Sequence, residues 1–230
     1  TGAEVLARWL SPSRGLILPG NFIPLFEKSE LIVKLDRYMF EHACRWYRSH
    51  LEQGGRPVSL AVNVSKAGLF QNDFVDYYTD IKDKYSIPDR VMELEFTESI
   101  LAADTELFAE LVVNLNARGF ICSLDDFGSG YSSLNLLKNL PIDVLKLDIL
   151  FFQKSRDIRR ERIVVSNVIN MAKELDIKTI AEGVEDMDTV EFLRKAGCNV
   201  IQGYVFAKPM PQEDFEHLLT DNQEGSFEGC

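Results

Sequence analysis

The four cysteines, Cys44, Cys122, Cys198 and Cys230, include no CxxC pair, and no Cys/His spacing suits zinc. Cys44 and Cys122 lie in apolar stretches and read as buried free thiols, which suits a reducing, cytoplasmic location. No apolar run reaches the ~18–20 residues of a membrane span, so no membrane contact is expected of this chain. No secretory leader is visible. Basic residues are outnumbered: 25 Lys and Arg face 36 Asp and Glu, a formal net charge of -11. Such a surface repels polyanions, which argues against a groove for duplex nucleic acid. A small phosphate held through divalent cations stays possible. The three histidines, His42, His50 and His217, lack metal spacing and read as packing or surface residues. No Ser-His-Asp pattern stands out, so covalent serine chemistry is disfavoured.

What is present is a regular alternation. Short β-rich runs occur at Glu4–Trp9, Val58–Val64, Val91–Thr97, Ile121–Phe127, Val144–Ile149, Lys178–Gly183 and Val200–Phe206. Between them lie stretches of helical period, including Phe74–Tyr85, Glu106–Ala117, Ile158–Leu175 and Thr189–Ala196. Asp104 is a plausible N-cap and Gly119 a plausible stop for the second of these. The first interval holds two helical patterns, Phe22–Glu27 and Leu35–Gln53. Repeated βα units make a parallel sheet with right-handed crossovers, and 230 residues suit a single α/β barrel. Seven strands are countable, and an eighth would fall before Thr1. The chain opens without Met inside a patterned segment and is expected to be part of a longer protein. The expected division is one barrel over 1–221 and a polar, loose tail over Asn222–Cys230.

Polar groups recur where the apolar runs end. Asn63 closes Ser59–Asn63. Glu95 and Glu98 lie in Glu93–Glu98. Asp125 and Asp126 end Cys122–Asp126. Lys146 and Asp148 alternate with leucines, Glu182 follows Thr179–Ala181, and Gln202 follows Asn199–Ile201. Glu4 opens the chain. Barrel enzymes carry their working residues at the carboxyl ends of strands. A lone Asp there is commonly a helix cap or a solvated turn, and a strand Lys can snorkel to the surface. Six strands with such positions at one end are harder to explain that way. Buried unpaired carboxylates are costly, so a cluster of them implies a neutralising cation. All-oxygen donors suit Mg²⁺, Mn²⁺ or Ca²⁺, and the pair Asp125-Asp126 can flank two ions, as phosphoryl displacement uses. Gly128-Ser129-Gly130-Tyr131-Ser132-Ser133 is by itself a weak glycine-loop signal. Placed after this strand, it reads as an active-site lid with glycine hinges.

Taken in order, these residues resemble the EAL family of cyclic di-GMP phosphodiesterases. The resemblance covers nearly the whole chain: Glu4-Val5-Leu6-Ala7-Arg8-Trp9, Phe22-Ile23-Pro24-Leu25, Asn63-Val64-Ser65, Glu95-Phe96-Thr97-Glu98-Ser99, Asp125 through Leu134, Lys146-Leu147-Asp148, Ala181-Glu182-Gly183-Val184-Glu185 and Gln202-Gly203-Tyr204. It implies a TIM-like (β/α)8 barrel, with the first strand missing from these residues. It implies two Mg²⁺ or Mn²⁺ ions, with Glu4, Asn63, Glu95 and Asp125 on the first and Asp125 and Asp126 on the second. Glu182 would be the essential acid, as base or second-metal contact. Lys146 would orient the attacking water, Glu98 would pin the Asp126–Leu134 loop, and Gln202 would support the water network. Arg8, with Leu6 and Asp148, would hold substrate. The implied reaction opens cyclic di-GMP to linear pGpG. The alternative is a catalytically weak or inactive receptor for the same ligand. A homodimer and upstream regulatory domains are further implications. Three departures stand out: Val5 replaces the signature Ala, Ile149-Leu150 replaces a more polar pair, and the family's Gln-Pro first strand is absent from the sequence given.

Overall fold

A computed structural model describes residues 2–100, 105–128, 137–148 and 157–221. Seven parallel strands form its main sheet. They are β1 (Gly2–Val5), β4 (Ser59–Val64), β5 (Met92–Thr97), β6 (Ile121–Phe127), β7 (Val144–Asp148), β8 (Lys178–Glu182) and β9 (Val200–Ile201), adjacent in that order. A separate antiparallel hairpin, β2 (Trp9–Ser11) with β3 (Gly15–Ile17), follows β1. The helices are α1 (Pro19–Glu27), α2 (Leu31–Glu52), α3 (Lys66–Leu69), α4 (Phe74–Lys84), α5 (Thr105–Ala117), α6 (Ile158–Glu174), α7 (Met187–Ala196) and α8 (Gln212–Asp221).

The strands read as the alternation predicts. In β4, Leu60, Val62 and Val64 are buried, while Asn63 projects from the opposite face. In β5, Leu94 and Phe96 point to the helices, where Phe96 meets Phe108 of α5 edge-on with centroids 5.3 Å apart. The other face of the same strand carries Glu93 and Glu95, both buried. The apolar core therefore lies between sheet and helices, and the inner face of the curled sheet is polar.

Helix limits follow local chemistry. Asp157 caps α6 by accepting from the Arg159 and Arg160 N–H groups, and Asp186 caps α7 through Thr189 N. Gly197, at φ 85°, ends α7 in the left-handed region that a β-carbon disfavours. Gly119 takes the same role after α5, at φ 82°.

Two expected strands are shorter than the sequence suggests. The run Glu4–Trp9 is not one strand: parallel pairing stops at Val5, opposite Val62, and Trp9 opens the hairpin instead. The turn residues Pro12 to Gly15 drive this, with Gly15 at φ 69°. Trp9 then anchors the hairpin on Phe22 and Phe26 of α1, with centroids 5.9 and 6.1 Å away. The run Val200–Phe206 pairs only to Ile201, because the chain folds back at Gly203 against Val184. The C-terminal helix α8 was not among the expected helices. It docks on α2, where the Trp46 indole donates to Glu216 at 2.6 Å.

Among the described residues the sheet runs from β1 at one edge to β9 at the other. It curls so far that Gln202, just past β9, donates to Glu4 of β1 at 3.2 Å. This is a TIM-like arrangement in which an eighth strand has no counterpart among the described residues. Asp104, Ile149, most of the expected lid and the tail Asn222–Cys230 lie outside them. Cys44 and Cys122 are buried free thiols, as expected. No described helix is long and apolar enough to cross a membrane.

Candidate active site

The polar inner face converges on one lysine. Lys146, central in β7, is 1% exposed. Its ammonium is ion-paired with Glu95 Oε1 and lies 2.7 Å from Glu182 Oε1. It lies 3.9 Å from both Glu4 Oε2 and Asp125 Oδ1. Four carboxylates from β1, β5, β6 and β8 thus surround a single positive charge. Parallel pairing makes this possible. Residues of adjacent strands sit side by side, and each of these positions falls on the inner face near the carboxyl end.

Glu4 is held from two directions. Asn63 Nδ2 donates to its Oε1 at 2.9 Å, and Gln202 Nε2 donates to its Oε2. An amide that donates through nitrogen keeps its carbonyl oxygen for another partner. Asn63 is paired with Glu95 in the β4–β5 ladder, so both side chains leave the sheet at the same level.

Asp125 and Asp126 straddle a bulge. Pairing of β6 with β7 passes from Leu124↔Leu145 to Phe127↔Leu147, which leaves one extra residue on β6. Asp126 absorbs it in the left-handed region, at φ 57°. Its N–H donates to Asp125 Oδ1 at 2.8 Å. Two consecutive acids in a regular strand would face opposite ways. The bulge re-aims the second, at a conformational cost of about 1 kcal/mol.

The electrostatics carry an unsettled excess of negative charge. Burial pushes the Glu95 carboxyl well above its ordinary range, against the pull of Lys146. Burial also pushes Glu182 up to about 7, again opposed by Lys146. Burial and the neighbouring Asp125 and Asp148 raise Asp126. Burial alone would lower Lys146, but Glu95, Glu182, Glu4 and Asp125 together raise it, so it stays charged. Glu95 Oε2 is buried with no hydrogen-bond partner.

That orphaned oxygen, and four acids for one ammonium, fit a hard divalent cation with oxygen ligands. Among the described residues no three acids already close on one point as a finished metal cage does. Lys146 is the charge they share. The donors are of a kind that suits such an ion, and their present geometry is set by the lysine.

The remaining predicted residues lie around this centre. Asp148 is level with Glu182 in the β7–β8 ladder. Glu98 begins a 3-10 turn, Glu98–Ile100, directly after β5. Leu6 and Arg8 follow β1, both exposed, and the Arg8 guanidinium donates to the Ala7 carbonyl at 2.8 Å. The loop that Glu98 is expected to pin lies outside the described residues beyond Gly128. Two polar residues near the site escaped the sequence reading. Glu93 is buried one inward position below Glu95, with Oε1 lacking a hydrogen-bond partner. Asp36 of α2 is buried against Ser65. Period-two alternation back from Glu95 reveals the first, and an acid in the Ile32–Asp36–Phe40 stripe reveals the second.

A curled parallel sheet, flanked by helices and with an acid–lysine cluster at the carboxyl ends of its strands, defines a TIM-like barrel with a charged mouth. Residues 1–209 match the description of the EAL domain, and the chain belongs to the EAL domain family. One relative is the bifunctional diguanylate cyclase/cyclic di-GMP phosphodiesterase MucR of Pseudomonas aeruginosa. It is 38% identical over 92% of this chain and 31% of its own length. Another is the cyclic di-GMP phosphodiesterase RocR of the same organism, 36% identical over 93% of this chain and 54% of its own. The chain thus spans about a third to a half of these relatives. Among solved structures, the MucR phosphodiesterase in complex with c-di-GMP superposes with a TM-score of 0.86 at 38% identity, covering 93% of this chain and 87% of that one. The EAL enzyme Bd1971, with cAMP and cyclic di-GMP bound, superposes with a TM-score of 0.87 at 31% identity, covering 95% and 60%.

Proposed function

We propose that this domain hydrolyses cyclic di-GMP to linear pGpG with the help of two Mg²⁺ or Mn²⁺ ions. The observation that carries the reading is the convergence of Glu4, Glu95, Asp125 and Glu182 on Lys146, with Asn63 and Gln202 holding Glu4. The relatives named as cyclic di-GMP phosphodiesterases, and the neighbour with that ligand bound, support the substrate. Glu4, Asn63, Glu95 and Asp125 would hold the first cation, and Asp125 and Asp126 the second. Bound there, the cations would lower the pKa of water and neutralise phosphate oxygens.

The chain's own residues do the rest. Glu182, raised to about 7, is suited to accept the proton of the attacking water. Lys146 remains a donor and fixes the surrounding carboxylates. Water adds to phosphorus as Glu182 takes its proton, the bond to the 3′ oxygen breaks, and that oxygen takes up a proton from solvent and leaves as a hydroxyl. No side chain forms a covalent bond to phosphorus, in keeping with a cluster of acids and no activated nucleophile among the described residues. Arg8, with Leu6 and Asp148, would orient the substrate, and Glu98 would hold the Asp126–Leu134 loop. The proposal includes a cytoplasmic site of action, a homodimer and further regulatory domains in the whole protein. The last is supported by the 31% of MucR's length that the chain spans.

The presence of every donor favours the enzyme over a receptor that binds without turnover. Incubation of the protein with Mn²⁺ or Mg²⁺ and cyclic di-GMP should yield pGpG by chromatography, and nothing in EDTA. Tight binding without product would replace the enzyme reading with the receptor reading.

A further inference from the structure

Asp36 is an acid buried in the apolar stripe of α2, only 6% exposed. One of its oxygens, Oδ2, accepts both the Ser65 N–H at 3.0 Å and the Ser65 hydroxyl at 2.5 Å. Ser65 Oγ in turn accepts from Gly68 N at 3.0 Å, which caps α3. A β-carbon on Gly68 would sit 2.6 Å from Asp36 Oδ2, so the close approach requires glycine there. The two bonds from Ser65 clamp the chain just past the end of β4. Asn63 lies two residues before Ser65, and its amide bonds Glu4 at 2.9 Å.

We propose that Asp36 is a positioning residue: by clamping Ser65 to α2 it fixes the exit of β4 and so aims Asn63 at the first cation site. This rests on the reading of Asn63 as a cation ligand. A purely structural role is a poor explanation of the acid. Burial makes its charge unfavourable, with nearby Glu27 adding to the cost. A neutral acceptor would hold the same turn without that cost. What the charge adds is stronger, shorter bonds to the serine, hence a stiffer strand end. Second-layer partners of metal ligands act this way, and their loss typically weakens metal binding ~10–100-fold.

The test is Mn²⁺ affinity by titration calorimetry for the protein and for Asp36→Asn, Asn63→Ala and the double variant, with folding checked by circular dichroism. Asp36→Asn should weaken Mn²⁺ about 10-fold without lowering the thermal midpoint. In the Asn63→Ala background the same change should have no further effect on affinity. Ser65→Ala removes the hydroxyl bond and the α3 cap but keeps the backbone N–H bond to Asp36, and should reproduce part of the loss. Wild-type affinity in Asp36→Asn and Ser65→Ala, alongside a weakened Asn63→Ala, overturns the positioning role alone. Losses that multiply in the double variant overturn it too. Wild-type affinity in Asn63→Ala overturns the ligand reading, and this proposal with it.

Discussion

Lys146 and Glu95 form an ion pair whose side chains are 1% and 0% exposed, at the centre of the acid cluster. Breaking a buried pair by removing one partner typically costs about 3–5 kcal/mol, because the other charge is left uncompensated. Lys146→Met should therefore lower the thermal midpoint sharply in EDTA. If the acids are built for cations, Mn²⁺ should recover more of that loss in the variant than it adds to the wild type. Thermal melts with and without Mn²⁺ measure this. Equal shifts in the two proteins would separate the lysine from the cation site.

Glu4 and Asp125 should be indispensable to turnover. Each faces the cluster from a different strand, and each is expected on the first cation. Glu4→Ala and Asp125→Ala should each reduce the rate of pGpG formation by at least ~10²-fold with the fold intact. Gln202→Ala removes only a 3.2 Å bond to Glu4 and should cost less. Near-normal rates in both acid variants would refute the site assignment.

Gly203 sets the position of Gln202. A β-carbon there would meet the Val184 carbonyl oxygen at 2.0 Å and its nitrogen at 2.4 Å, both backbone atoms that yield poorly. Gly203→Ala should cost about 1–3 kcal/mol in urea unfolding. It should also slow turnover, because Gln202 leaves Glu4. Stability unchanged from the wild type would show that the turn is more yielding than its packing indicates.

Asp36 makes stability depend on pH in a defined window. Its carboxyl is raised from 3.8 to about 6, chiefly by burial, so between those values the folded state binds more protons than the unfolded chain. The stabilisation is complete below 3.8 and is lost as pH rises through 6. The loss is about 3 kcal/mol, at ~1.4 kcal/mol per pH unit. Asp36→Asn should abolish this component. Urea unfolding should find the variant more stable than the wild type at pH 8 and level with it near pH 4. The opposite ordering would mean that the carboxylate is favoured where it lies.

Much of the site was legible because strand chemistry is local. A polar group closing an apolar run marks a strand end, and Asn63, Glu95, Asp125, Lys146 and Glu182 all carry that mark. The hairpin at Trp9–Ile17 was hidden because Glu4–Trp9 is apolar enough to continue as a strand, and only the turn beyond it ends the pairing. Asp36 was overlooked because a single acid in a long helix resembles any solvated residue until Ser65 is seen against it.

From the sequence alone came the order of βα units, the parallel sheet, and the set of oxygen donors with the lysine among them. Period and residue type are properties of a few neighbouring positions, so they survive without knowledge of the fold. Tertiary structure alone decided that Lys146 is the charge on which four acids converge, that a bulge at Asp126 turns two consecutive acids toward one mouth, and that Gln202 reaches Glu4 across the two edges of the sheet. Those relationships depend on the curl and register of strands far apart in the chain, set by packing between sheet and helices and by no local pattern.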